Sequence, residues 1–202
     1  MKLLEFTAAP NPRRVRVFLA EKGINVPTEQ VDISKAANRE PAFLAKNPMG
    51  GVPILELDDG TIIAESVAIC RYFEELHPEP PLLGVDATDR ALVEMWNRRM
   101  ELYLLSNSAG AFRMTHEFFK GRIRQVPEYG EVCKEAALKQ LEFLDDVLAD
   151  REFIAGERYT IADITALCGI DFGRVSGIKI LDEQKNLGRW HAAVSGRPSA
   201  KA

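Results

Sequence analysis

The chain has 202 residues, a net charge of -4 and basic residues scattered along its length, a balance that argues against a nucleic-acid partner or an anionic-membrane surface. Hydrophobic residues make up 46% and charged residues 28%, as in a globular protein with a core of its own. No apolar run is long enough to span a bilayer, and three widely spaced cysteines, Cys70, Cys133 and Cys168, predict neither a disulfide framework nor a metal site, so the cytoplasm is the expected compartment.

Residues 2–6 form a short apolar run with strand character and no signal-peptide core. A proline-rich turn follows, Thr7-Ala8-Ala9-Pro10-Asn11-Pro12. Val15, Phe18 and Leu19 then recur at helical spacing, with Arg13, Arg14, Arg16, Glu21 and Lys22 filling the other positions and Gly23 closing the helix. Val26 to Ile33 reads as a second strand, and Pro41 to Lys46 as a short helix. The apolar runs Val52–Leu57 and Thr61–Ala64 flank Asp58-Asp59-Gly60, which predicts a hairpin. Glu65-Ser66 opens a helix running to about His77. The order β-α-β-α-β-β-α describes one compact α/β layer.

The run from His77 to Gly84 holds three prolines and cannot continue a helix. Residues 78–86 are read as a linker between an α/β domain, 1–77, and an all-helical domain, 87–202. Long helices are expected over about Thr88–Ala111 and Pro127–Leu148. Another begins at Thr160, where Thr160-Ile161-Ala162-Asp163 matches a capping box.

Three segments could carry chemistry. A proline at the start of a strand, Pro53, is either an ordinary edge proline or the second residue of a cis bond that turns the Val52 N–H and C=O outward toward an extended peptide. Glu65-Ser66 reads either as helix capping or as a site for an amino-acid head group, with the helix N-terminus and hydroxyl meeting a carboxylate and Glu65 an ammonium. The turn Pro10-Asn11-Pro12-Arg13-Arg14 either merely starts a helix or offers N–H groups and positive charge that would stabilise a thiolate. No dinucleotide or phosphate-binding glycine motif is present. His116-Glu117 lacks the second histidine of a zinc-protease helix.

Taken together, the segments Arg14–Gly23, Phe43–Pro48, Gly51–Gly60, Ala64–Ile69, Tyr159–Asp163 and Gly196–Ser199 resemble the cytosolic glutathione transferase superfamily. The match is strongest to its fungal and bacterial members that lack a tyrosine, serine or cysteine activator, and Thr7–Arg14 indeed holds none of the three. The resemblance implies a thioredoxin-like N-terminal domain followed by a helical-bundle domain, with glutathione as co-substrate and no metal. By the same resemblance Val52 pairs with the cysteinyl backbone across cis-Pro53, beside Gly51. Glu65 and Ser66 hold the γ-glutamyl end, and Asn38 and Arg39 face the glycine carboxylate. Asn11, with Pro12 and the N–H groups just after it, faces the thiol, and Arg13 adds charge, so that Asn11 and Arg13 are the expected catalytic residues. A second-substrate pocket for a small hydrophobic electrophile is expected at Ala9, Tyr103, Asn107, Ala111, Phe112 and His116. The implied assembly is a homodimer using helices around Ser66–Tyr72 and Ala91–Met100. Conjugation is the expected reaction. Glutathione-dependent reduction of disulfides or hydroperoxides, and non-catalytic glutathione binding, are the alternatives.

Overall fold

A computed structural model describes every residue from Met1 to Ala202. The chain forms two compact units, Met1–Leu82 together with Lys201–Ala202, and Leu83–Ala200. The first contains β1 (Lys2–Glu5), α1 (Pro10–Glu21), β2 (Thr28–Gln30), α2 (Pro41–Lys46), β3 (Ile54–Glu56), β4 (Ile62–Ala64) and α3 (Ser66–Leu76). The sheet order is β2-β1-β3-β4. β1 and β2 run parallel, with Leu4 opposite Glu29. β3 is antiparallel to both neighbours, so Ile54 lies opposite Leu4 on one side and Ala64 on the other. This is the thioredoxin-like arrangement expected from the sequence.

Successive strand residues point to opposite faces, and the core follows that alternation. Leu4 and Ile54 join Val31 and Phe43 of α2 in one buried cluster, while Leu3 and Leu55, equally buried, take the other face. The expected second strand, Val26–Ile33, shortens to Thr28–Gln30. Pro27 has no N–H to offer a ladder, and the Asp32 carboxylate accepts from the Ser34 and Lys35 N–H groups, turning the chain into short 3-10 turns at Ile33–Lys35 and Ala37–Arg39. The Lys22 side chain is wholly covered. Its Nζ reaches the Glu74 carboxylate at 2.7 Å and donates to the His77 and Pro80 carbonyls at 2.7 and 2.8 Å, tying the end of α1 to α3 and the chain beyond it.

The second unit is entirely helical: α4 (Ala87–Arg99), a π-helical stretch Met100–Leu105, α5 (Ser106–Thr115), α6 (Pro127–Val147), α7 (Ile161–Gly173) and α8 (Lys185–Ser195), with short 3-10 turns between. The long helix read from Thr88 therefore runs on to Thr115 through a widened turn, in which the Ser106 N–H reaches back five residues to the Glu101 carbonyl. Small residues let the helices approach closely. A Cβ on Gly169 of α7 would sit 3.1 Å from Leu104 Cγ, and one on Gly130 of α6 would lie 2.6 Å from Thr115 Cγ2 and 3.0 Å from Met114 Cβ.

α7 is buried along nearly its whole length, and its start is held by one carboxylate. Asp163 accepts from the N–H groups of Ile154 and Thr160, both at 2.9 Å, from the Thr160 hydroxyl at 3.2 Å, and from Trp190 Nε1 at 2.9 Å. Thr160 Oγ1 accepts from the Ala162 N–H, and the capping box read from the sequence is in place. Burial pushes the Asp163 carboxyl up to about 6, with these donors pulling it back down.

Alanine at Gly130 gains helix propensity but clashes with α5, and a net loss of about 1–2 kcal/mol is expected. Alanine at Gly188 of α8 meets nothing within 4 Å and is expected to gain up to about 1 kcal/mol; urea unfolding of both variants checks the pair. For Asp163, the ordinary carboxyl value of 3.8 rises to about 6 in the folded chain. Between those values the unfolded chain has lost the proton and the folded one retains it, so this group's contribution to stability falls as pH rises through that window, by about 3 kcal/mol in all. The stability advantage of the parent over Asp163→Asn should therefore shrink from pH 4 to pH 6 and then level off.

Candidate functional site

The sheet register decides which loops meet. β1 and β3 are antiparallel, so the chain leaving β1 and the chain entering β3 lie at the same end. β3 and β4 are antiparallel too, which brings the chain leaving β4 to that end as well. The turn Thr7–Pro12, the Val52-Pro53 step and the Glu65-Ser66 pair thus converge within the first unit.

The turn after β1 is pinned by a ring of polar contacts. The Thr7 N–H and hydroxyl both donate to Gln30 Oε1, at 3.1 and 3.0 Å. Gln30 Nε2 donates to the buried Glu5 carboxylate at 3.0 Å, Arg16 pairs with the same carboxylate at 2.5 Å, and Arg16 also donates to the Thr7 carbonyl at 3.0 Å. The Thr7 hydroxyl is thereby committed to the scaffold. The sequence reading placed several N–H groups at the start of α1, and the structure corrects it. Pro10 and Pro12 have none, and the Arg13 N–H already bonds to the Ala9 carbonyl at 3.3 Å. The exposed Asn11 supplies the backbone donor left in the first turn of α1, beside its own side-chain amide. No acidic residue sits in the first turn of α1 to oppose an anion, and Ala9 flanks it as the residue before the helix.

The Val52–Pro53 bond is cis, and Val52 takes no part in the β1–β3–β4 ladders, so its N–H and C=O are not spent on the sheet. The segment before it is clamped from behind. Asn38 Nδ2 donates to the Gly50 carbonyl at 2.7 Å, Arg39 reaches the Met49 carbonyl at 3.3 Å, and Asn47 Nδ2 donates to the Gly51 carbonyl at 2.9 Å. Gly50 has φ 65°, and a Cβ there would lie 2.7 Å from the Arg39 guanidinium and 3.0 Å from the Asn38 carbonyl oxygen. Asn38 and Arg39 thus spend hydrogen bonds on the loop that leads to Gly51 and Val52. Asn47, unrecognised in the sequence, does the same.

Glu65 has φ 67°, the left-handed region that costs a non-glycine residue on the order of 1 kcal/mol or more. Its side chain makes no capping bond, so the capping reading of Glu65-Ser66 fails. The strain instead leaves the Glu65 carboxylate exposed beside the start of α3. There the Ile69 N–H closes the first turn on the Glu65 carbonyl at 3.0 Å, after the unbonded N–H groups of Ser66, Val67 and Ala68. Ser66 itself is buried, and Arg14 NH1 donates to its hydroxyl at 3.1 Å. Arg14 was assigned to the polar face of α1, yet it has no exposed surface at all. Three arginines within four residues, Arg13, Arg14 and Arg16, carry no sequence signal that separates the buried one from its neighbours.

The residues assigned to a second substrate lie in the helical unit, apart from Ala9. Tyr103 is exposed on the π-helical stretch, and its carbonyl accepts from Asn107 Nδ2 at 2.8 Å. The Phe112 ring lies tilted by 37° against that of the exposed His116, ring centroids 4.4 Å apart, and packs edge-on to Phe119 and Phe172 at 5.6 and 5.1 Å. His116 Nδ1 accepts from the Phe118 N–H. Ala111 is buried, 1% exposed, with its carbonyl bonded to Thr115 Oγ1, and offers no open wall. Phe118, Phe119 and Phe172 extend the aromatic group beyond what the sequence reading named.

Residues 8–76 match the family described as glutathione S-transferase, N-terminal domain, and residues 109–198 match the glutathione S-transferase, C-terminal domain. Glutathione S-transferase 2 of Saccharomyces cerevisiae is 35% identical over 100% of this chain and 88% of its own length. The crystal structure of Gtt2 from the same yeast superposes with a TM-score of 0.95 at 35% identity, covering 100% of this chain and 99% of that one. A glutathione S-transferase domain-containing protein of Marinobacter aquaeolei superposes with a TM-score of 0.94 at 38% identity, covering 98% and 99%. With both domain families matched, a full-length relative above 30% identity and the fold in common, the chain belongs to the glutathione S-transferase family.

Proposed function

We propose that this protein transfers glutathione to small hydrophobic electrophiles. Glutathione is taken as an extended peptide along Val52, its γ-glutamyl group at Glu65 and Ser66 and its glycine end toward Asn38 and Arg39. The thiol comes to Asn11, whose N–H and side-chain amide favour the thiolate without a tyrosine, serine or cysteine, and Arg13 adds positive charge. The observation that carries this reading is the convergence of the Asn11 turn, the cis Val52–Pro53 step and the strained Glu65-Ser66 pair at one end of one sheet. Each supplies the chemistry that one part of a γ-glutamyl-cysteinyl peptide requires. Tyr103, Asn107, Phe112 and His116 are assigned to the electrophile.

A homodimer is proposed as well. Leu92 and Met95, one helical turn apart on α4, are 47% and 36% exposed, apolar surface that a second copy would cover. Cytoplasmic placement is consistent with three buried cysteines that form no disulfide, and no helix is long and apolar enough to cross a membrane.

The thiolate absorbance of bound glutathione, titrated with pH, tests the mechanism. The bound thiol should ionise well below the free peptide. Asn11→Ala should raise that bound value by about one unit, the equivalent of about 1.4 kcal/mol, and slow conjugation at neutral pH roughly tenfold. Tight binding with an unshifted thiol would leave a glutathione-binding module. A shifted thiol that reduces hydroperoxides or disulfides but spares electrophiles would make the protein a reductase.

A further inference from the structure

An arginine with no exposed surface stands behind Ser66. Arg14 lies on α1, is 0% exposed, and donates from NH1 to the Ser66 hydroxyl oxygen at 3.1 Å across a sequence separation of 52 residues. A guanidinium keeps its charge at every accessible pH, and a fully buried charge is costly to hold unless it serves a partner. Its placement bears on what Ser66 can do. A hydroxyl carries one hydrogen and two lone pairs. At a helix start, a serine hydroxyl is free to rotate and spend its hydrogen on a nearby backbone carbonyl. With Arg14 donating into one lone pair, the oxygen is held and the hydrogen is left to donate away from the arginine. The N–H groups of Ser66, Val67 and Ala68 open beside it.

We propose that Arg14 is a positioning residue for the γ-glutamyl α-carboxylate: by holding the Ser66 oxygen from behind, it turns the Ser66 hydroxyl into an oriented donor without touching the ligand. The assignment rests on the glutathione reading above and narrows it to one end of the peptide. It separates two arginines adjacent in sequence, with Arg13 acting at the thiol end and Arg14 at the amino-acid end.

The test compares two ligands on the full-length protein by calorimetry: glutathione, and glutathione whose γ-glutamyl α-carboxylate is converted to the carboxamide. The parent should bind glutathione about tenfold or more tightly than the amide. In Arg14→Met that ratio should fall toward the ratio shown by Ser66→Ala, and the double variant should discriminate no worse than Ser66→Ala alone. A purely structural arginine would weaken both ligands alike and leave the ratio intact. If Arg14→Met does not fold, Arg14→Lys keeps the charge while its shorter, single-headed side chain gives up the bond to Ser66, and the ratio should fall at least threefold. An unchanged ratio in whichever variant folds overturns the assignment of Arg14 while leaving glutathione binding in place. A parent that binds neither ligand overturns the glutathione reading itself, and this assignment with it.

Discussion

The antiparallel placement of β3 between β1 and β4 is the constraint on which the candidate site depends. Each of β3 and β4 is only three residues long, so few ladder bonds hold them. Their register is fixed instead by which side chains must be buried. Leu4 and Ile54 face α2, and Leu3 and Leu55 face the other way. A slip of one residue would exchange the two faces. The same register that seals the core delivers the Asn11 turn, Val52 and Glu65-Ser66 to one end of the sheet, so packing and chemistry are settled together.

The two helix starts at that end are built differently. In α1 the prolines Pro10 and Pro12 remove backbone donors and leave Asn11 as the sole source, which suits a single soft anion. α3 leaves the N–H groups of Ser66, Val67 and Ala68 beside a strained Glu65, which suits a carboxylate with an ammonium next to it. Polar residues behind the site keep this arrangement stiff. The Thr7–Gln30–Glu5–Arg16 ring holds the first turn, Asn38, Arg39 and Asn47 hold the loop before Val52, and Arg14 holds Ser66. Most of the hydrogen bonds around the site are therefore made before any ligand arrives, which lowers the ordering cost of binding.

The helical unit solves a different problem. α7 is buried nearly all round, so its polar start cannot turn to water, and Asp163 takes on the donors of two backbone segments and an indole at once. Gly130 and Gly169 set how near the neighbouring helices can come. The widened turn at Met100–Leu105 interrupts the α-helical bond ladder where Leu104 and Leu105 pack against Gly169, and it leaves Tyr103 exposed.

Much of this was legible in the residues alone. Apolar periodicity marks α1, α3, α4 and α6, the Asp58-Asp59-Gly60 turn marks the β3–β4 hairpin, and Thr160 with Asp163 marks the start of α7, because each of these signals is local in the chain. The ends of β2, the π-helical turn and the short 3-10 turns after Val31 were not legible, since side-chain bonds such as those of Asp32 override strand propensity there. Burial of charge was hidden for a deeper reason. Arg13, Arg14 and Arg16 are the same residue type on one helix, and only the packing of α1 against α3 decides which of them loses its water. Asn38 and Arg39, read as facing the glycine carboxylate, and Ala111, read as a pocket wall, are a similar case. The tertiary structure gives the first two hydrogen bonds to the loop before Val52 and encloses the third. Sequence determined the elements and the residue types that glutathione chemistry calls for, because both are written in short-range patterns. Which of those side chains face solvent and which brace the site was decided only by the fold, because burial is a property of contacts between segments distant in the chain.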